Sequence, residues 1–183
     1  MRFVETPLQD ARIVELEPIG DQRGSFSRAF CQREFEEAGL SPVVAQCNIS
    51  TNAKKGTLRG MHYQVAPATE AKLVRCIRGA IYDVIIDMRQ GSPTYLEHFG
   101  IELSDQNRTA LWVPPMFAHG FQAISEETEI FYMVNEFYSP GHEKGLRHDD
   151  PQFGIEWPLE VTELSDKDRS WPLFDPERAA DWA

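Results

Sequence analysis

A chain of 183 residues can bury about 70 % of its unfolded surface around one core, so a single domain spanning 1–183 is expected. Its 42 % apolar and 26 % charged usage is that of a globular protein and leaves little room for long disordered tracts. With 29 acidic against 18 basic residues the net charge is −11, which repels nucleic acid and anionic membrane and obliges an anionic ligand to find a local cluster of arginine or lysine.

In chain order, "MRFVETPLQD" has no apolar h-region, and no window approaches the ~20 apolar residues of a membrane span, so a soluble, cytoplasmic protein is expected. "RIVEL" reads as a strand able to pair with a neighbour. "FCQREFEEAGL" places Phe30, Phe35 and Ala38 on one helical face and stops at Gly39. The stretch between residues 72 and 138 reads as three hairpins. "KLVRCIRG" meets "AIYDVIID", "FGIEL" meets "TALWV" across "SDQNR", and "HGFQAIS" meets "EIFYMVNEFY" across "EET". "LSDKDRSWPLF" opens a short helix with Ser165 as N-cap. The acidic tail over 174–183 is expected to be loosely held unless Trp182 anchors it, leaving a core over about 20–173. Cys31, Cys47 and Cys76 are odd in number and far apart, as free thiols in a reducing compartment would be. Many short strands and little helix predict an all-β fold of the jelly-roll type, a sandwich or barrel with a few short helices.

Metal-binding jelly rolls of the cupin class present His-x-His on one strand, a glutamate further on and a third histidine later. Here "LRGMHYQ" supplies His62 but offers Gln64 as the second ligand, Lys72 takes the glutamate's place, and the third histidine is His119 in "VPPMFAHGF". An ammonium cannot ligate and an amide is a poor ligand for zinc or iron, so the expected reading is a cupin scaffold with no metal; an oxygenase built on His62, Gln64 and His119 is the competing reading.

The motifs "DQRGSF", "QCNIS", "GTLRGMHYQ", "KLVRCIRGAIYDVIIDMR", "VPPMFAHGF", "FYMVNEFYSPGHE", "DDP" and "LSDKD" resemble, in order, those of the dTDP-4-dehydrorhamnose 3,5-epimerase family. The resemblance implies epimerisation of a dTDP-4-keto-6-deoxy sugar at C3 and C5 with no cofactor, in deoxysugar biosynthesis, by a homodimer; a mono-epimerase or ketoisomerase on a related sugar nucleotide is the alternative. It also implies roles for residues. His62 resembles the base and Asp168 the acid that orients it, Lys72 would face the C4 oxygen, and Tyr132 would be the opposite-face acid. Arg23 and Arg59 match phosphate contacts, and Phe26, Gln46 and Asn48 match positions that hold the nucleotide. Tyr138 resembles an aromatic near the base, while His119, Asp83 and Glu143 match positions near the pocket. Asp168 has a second reading as the third helical residue of a capping box begun by Ser165. Arg28, Met116, Met133 and His148 depart from the commonest pattern and are expected to alter the pocket wall.

The chemistry demands more than a base. A proton beside a ketone has a pKa of about 20 against about 6.5 for histidine, a gap of roughly 13 units or ~18 kcal/mol. A turnover of about 10 per second tolerates only ~16 kcal/mol in total, so the enolate oxygen must be stabilised. Inversion further needs a proton donor on the face opposite the base.

Overall fold

The computed structural model of the chain describes residues 1–182. A period of two runs through its strands, and two sheets bury one face of that alternation against each other. In chain order the elements are β1 (Arg2–Glu5), β2 (Arg12–Glu15), β3 (Ile19–Asp21), β4 (Gly24–Phe26), α1 (Gln32–Glu37), β5 (Gln46–Asn52), β6 (Leu58–Gln64), β7 (Lys72–Arg78), β8 (Ala80–Asp87), β9 (His98–Ser104), β10 (Ala110–Val113), β11 (Phe117–Ala123), β12 (Thr128–Val134), β13 (Glu143–Gly145) and α2 (Asp166–Ser170). A six-stranded sheet runs β1-β2-β10-β7-β12-β5 and a five-stranded sheet runs β13-β6-β11-β8-β9, with β3 and β4 a separate hairpin. The fold is the expected cupin-type jelly roll.

Val74, Cys76, Leu111, Val113 and Ile130 from the first sheet meet Ile81, Ile85, Leu103, Phe117 and Phe121 from the second, forming the sandwich interior. α1 lies over the outer face of the six-stranded sheet, where Phe35 packs with Leu73, Ala110 and Trp112. As expected, this helix stops beside Gly39, whose φ of 74° suits a residue without a side chain. The outer face of the five-stranded sheet is covered by the C-terminal segment.

The three expected hairpins are corners instead. β7, β10 and β12 belong to the six-stranded sheet, whereas β8, β9 and β11 belong to the five-stranded one, so each of those connections crosses between layers. The one-residue link at Gly79 is too short for a two-residue hairpin loop. Its φ of 73° turns the chain, Asp105 Oδ2 accepts its N–H at 2.9 Å, and a Cβ there would collide with Ser125 Oγ. β8 is buried on both faces, Ile81 and Ile85 in the sandwich interior and Val84 and Ile86 beneath the C-terminal segment.

The core reaches beyond 20–173 at both ends. Leu8, Ala11 and Val14 are buried near the N-terminus, with β2 paired to β10 of its own chain. The tail is docked: Trp182 is 8 % exposed, its ring lies 5.6 Å from that of Phe174, and Tyr63 Oη donates to its carbonyl at 2.9 Å. Ala183, the last residue of that tail, lies outside the described residues. Among the described residues all three cysteines are free, and no helix is long and apolar enough to cross a membrane.

Candidate active site

Strand alternation sends Gln46 and Asn48 of β5, His62 and Gln64 of β6, Lys72 of β7 and Tyr132 of β12 into one cavity of about 400 Å³. β6 belongs to one sheet and β5, β7 and β12 to the other, so His62 faces Lys72 and Tyr132 across the gap.

His62 Nε2 lies 2.5 Å from Asp168 Oδ1, while Asp168 Oδ2 accepts the Gly60 N–H at 3.2 Å. Asp168 is 3 % exposed. Burial works against its charged form, yet the hydrogen bond and charge of His62, with further donors, hold the carboxyl below its ordinary value. Only half of the capping box forms: the Asp168 N–H donates to Ser165 Oγ at 3.0 Å, but its carboxylate turns to His62 and the Gly60 N–H instead of returning to Ser165. His62 Nδ1 has no protein partner among the described residues, so it is the nitrogen able to take a proton. Gly145 pairs with His62 across β13 and β6, and its missing side chain leaves room for Trp171, whose ring packs 6.3 Å from the imidazole.

Lys72 Nζ lies 3.0 Å from Glu70 Oε1, with the two side chains only 11 % and 12 % exposed. Burial raises the Tyr132 phenol above its ordinary value and Glu70 adds to the effect, opposed by Arg59, so Tyr132 remains a proton donor at neutral pH. Its hydroxyl has no hydrogen-bond partner among the described residues.

The residues at the other cupin ligand positions are committed elsewhere. Gln64 Nε2 donates to the carbonyls of Ala68 (3.0 Å) and Phe137 (3.2 Å), and its Oε1 accepts the Ser139 N–H at 2.6 Å. His119 Nε2 is 2.8 Å from Asp83 Oδ1, directly beside His62 in the β11–β6 pairing.

Around the cavity, Gln46 Oε1 accepts the Tyr138 N–H at 2.9 Å, and Tyr138 Oη donates to Glu143 Oε2 at 3.1 Å. Glu143 also receives Lys167 Nζ at 2.5 Å. Arg59 Nε donates to Asn52 Oδ1 at 2.7 Å, which ties it across the gap between the sheets. Arg23 and Phe26 are not brought to this cavity. They sit on the β3–β4 hairpin, where the Arg23 side chain is 91 % exposed and pairs with Asp21, and Phe26 is 68 % exposed. Nor do Arg28, Met116, Met133 and His148 line the cavity, contrary to the expectation from their departures. Arg28 reaches Glu34 at 3.2 Å, Met133 packs under α1, and the His148 carbonyl accepts from Trp157 Nε1. Glu70, Trp171 and Lys167 were missed in the sequence; only the two-residue offset of Glu70 from Lys72 signalled that it shares the cavity.

A half-buried imidazole held by a buried carboxylate, facing an ammonium and a phenol inside a cupin-type jelly roll, is an arrangement that can move protons at carbon, the chemistry of an isomerase. A profile of the dTDP-4-dehydrorhamnose 3,5-epimerase family matches residues 5–176, and the chain belongs to that family. It is 44 % identical over 175 residues to the dTDP-4-dehydrorhamnose 3,5-epimerase of Shigella flexneri, covering 95 % of this chain and 96 % of that one. The crystal structure of the Bacillus anthracis enzyme with TDP and pyrophosphate bound superposes with a TM-score of 0.91 at 40 % identity, covering 94 % of this chain and 99 % of that one. The Legionella pneumophila enzyme in complex with dTDP-4-keto-L-rhamnose gives 0.88 at 37 % identity, covering 94 % and 92 %.

Proposed function

We propose that this protein epimerises a dTDP-4-keto-6-deoxy sugar at C3 and C5 through an enolate, without metal or redox cofactor, in dTDP-rhamnose-type deoxysugar biosynthesis. His62 Nδ1 removes the proton beside the C4 ketone, and Asp168 holds the ring and stabilises the imidazolium. The Lys72 ammonium donates to the oxygen as it becomes an enolate. Tyr132 returns a proton from the other side. His62 then loses its proton to water and the Tyr132 phenolate regains one, so the enzyme ends as it began.

One observation carries this reading: the imidazole and the phenol enter one cavity from opposite sheets, as inversion requires. Arg59, whose charge acts on Tyr132, takes the diphosphate, with Gln46, Asn48 and Tyr138 toward the nucleotide and His119 and Glu143 behind the sugar. Arg23 and Phe26 serve this role from a second copy. The exposed β3–β4 hairpin and the uncovered apolar residues Ile49 and Ile77 on the outer six-stranded face favour a homodimer. A cytoplasmic location fits the free thiols.

The test is turnover of a dTDP-4-keto-6-deoxy sugar in deuterated water. Solvent deuterium at both C3 and C5 with inverted configuration is the expected result. Label at one carbon marks a mono-epimerase, and no label with metal-dependent oxygen uptake would overturn the proposal.

A further inference from the structure

Glu70 lies two residues before Lys72, just ahead of β7, and both side chains line the cavity. The backbone between them is clamped. The Ala71 N–H donates to Asn135 Oδ1 at 2.7 Å, and the Asn135 N–H returns to the Ala71 carbonyl at 3.3 Å. Glu70 Oε1 is 3.0 Å from Lys72 Nζ, and it is the one carboxylate paired with that ammonium among the described residues.

A lysine is a point charge on a flexible four-carbon stem and loses rotamer entropy whenever it is held in one place. An unpaired ammonium here would also be drawn to a diphosphate, the strongest anion the cavity receives. A fixed carboxylate removes both problems: it selects one rotamer, and it lowers the net charge enough that the diphosphate prefers Arg59 while the Lys72 N–H bonds stay free for a ketone oxygen.

We infer that Glu70 is a positioning residue, which holds the Lys72 ammonium toward the ketone oxygen and away from the diphosphate, so that the rate contribution of Lys72 depends on it. This rests on the oxyanion role proposed above for Lys72. The proximity of Glu70 to Tyr132 is a secondary benefit, since the carboxylate helps keep the phenol protonated.

The experiment is a double-mutant cycle read by hydrogen exchange of the 4-keto sugar in deuterated water, with dTDP affinity measured alongside. Misplacing a catalytic donor costs on the order of 100-fold, so Glu70→Leu should lower kcat about 10- to 100-fold while dTDP binds more tightly than to wild type, the freed ammonium being drawn to the diphosphate. Glu70→Gln keeps an acceptor of the same length and should recover the rate to within about fivefold. In a Lys72→Met background, Glu70→Leu should change the residual exchange by less than about twofold, because residues acting as one unit are not additive. Multiplying effects would assign Glu70 a contact of its own with the sugar and overturn the inference. So would a Glu70→Leu rate within about threefold of wild type. Wild-type protein that exchanges neither carbon would sink the functional reading instead, which keeps the two failures apart.

Discussion

His62 and Tyr132 approach one cavity from opposite layers, the imidazole from β6 of the five-stranded sheet and the phenol from β12 of the six-stranded sheet. A base and an acid so placed predict separable defects. In deuterated water His62→Asn should abolish exchange at both carbons. Tyr132→Phe should still form the enolate but return deuterium to the face it left, so exchange outruns inversion. Product analysis by mass and NMR checks both. A Tyr132→Phe enzyme that inverts at the wild-type rate would show that another donor serves.

Asp168 donates its N–H to Ser165 and accepts from His62 on its carboxylate, so Asp168→Asn removes the dyad while keeping the cap. The amide cannot stabilise an imidazolium, and kcat should fall about 1000-fold with dTDP affinity unchanged. Ser165→Ala should do the reverse, costing about 1 kcal/mol of stability in denaturant titration with a small change in rate.

Lys72→Met should slow exchange about 100- to 1000-fold, the usual loss for one preorganised donor to an oxyanion. It also strands the Glu70 carboxylate in a cavity where that side chain is 12 % exposed. Breaking a buried pair from one side costs about 3 kcal/mol, and adding Glu70→Gln should recover much of that stability without the rate. Parallel urea titration and exchange measurements check the split.

Asp87 is fully buried and accepts from Arg89, Ser92 and Thr94. Burial opposes its charge, but those hydrogen bonds hold its carboxyl below the ordinary value, as the His62 contact does for Asp168. A group with a depressed folded pKa contributes stability fully above its unfolded value, about 3.9, and loses it as pH falls toward the lower folded value. The urea midpoint should therefore be level above that value and drop below it. Asp87→Asn should flatten the drop while lowering the plateau by about 3 kcal/mol.

Trp182 closes the outer face of the five-stranded sheet over Phe174 and Tyr63. Trp182→Ala should cost about 3 kcal/mol in thermal or urea unfolding, the range for deleting a buried large aromatic. A loss below about 0.5 kcal/mol would mean that the tail is not docked in solution.

Short-range patterns were legible in the chain before folding. Gly39 ends α1 because it alone tolerates the left-handed turn there, and Ser165 opens α2 because its hydroxyl meets the N–H three residues on. The period of two put Lys72 with Val74 and Tyr132 with Ile130, so the inward residues could be read off once the strands were recognised. The partners of those strands could not. β7 and β8 are separated by Gly79 alone, yet they lie in different sheets, because each pairs with strands further along the chain, β7 with β10 and β12 and β8 with β9 and β11. Long-range pairs depended on tertiary structure in the same way. His62 and Asp168 are 106 residues apart and meet because the segment after β13 returns to β6, a route no local propensity encodes. Met133 and His148 were placed away from the cavity by that same packing, Glu70 was brought onto Lys72, and the acidic tail was closed down over Phe174. Helix caps and strand alternation cost or contribute energy within a few residues. Sheet membership, pocket walls and tail docking are decided by which distant apolar faces must be covered together.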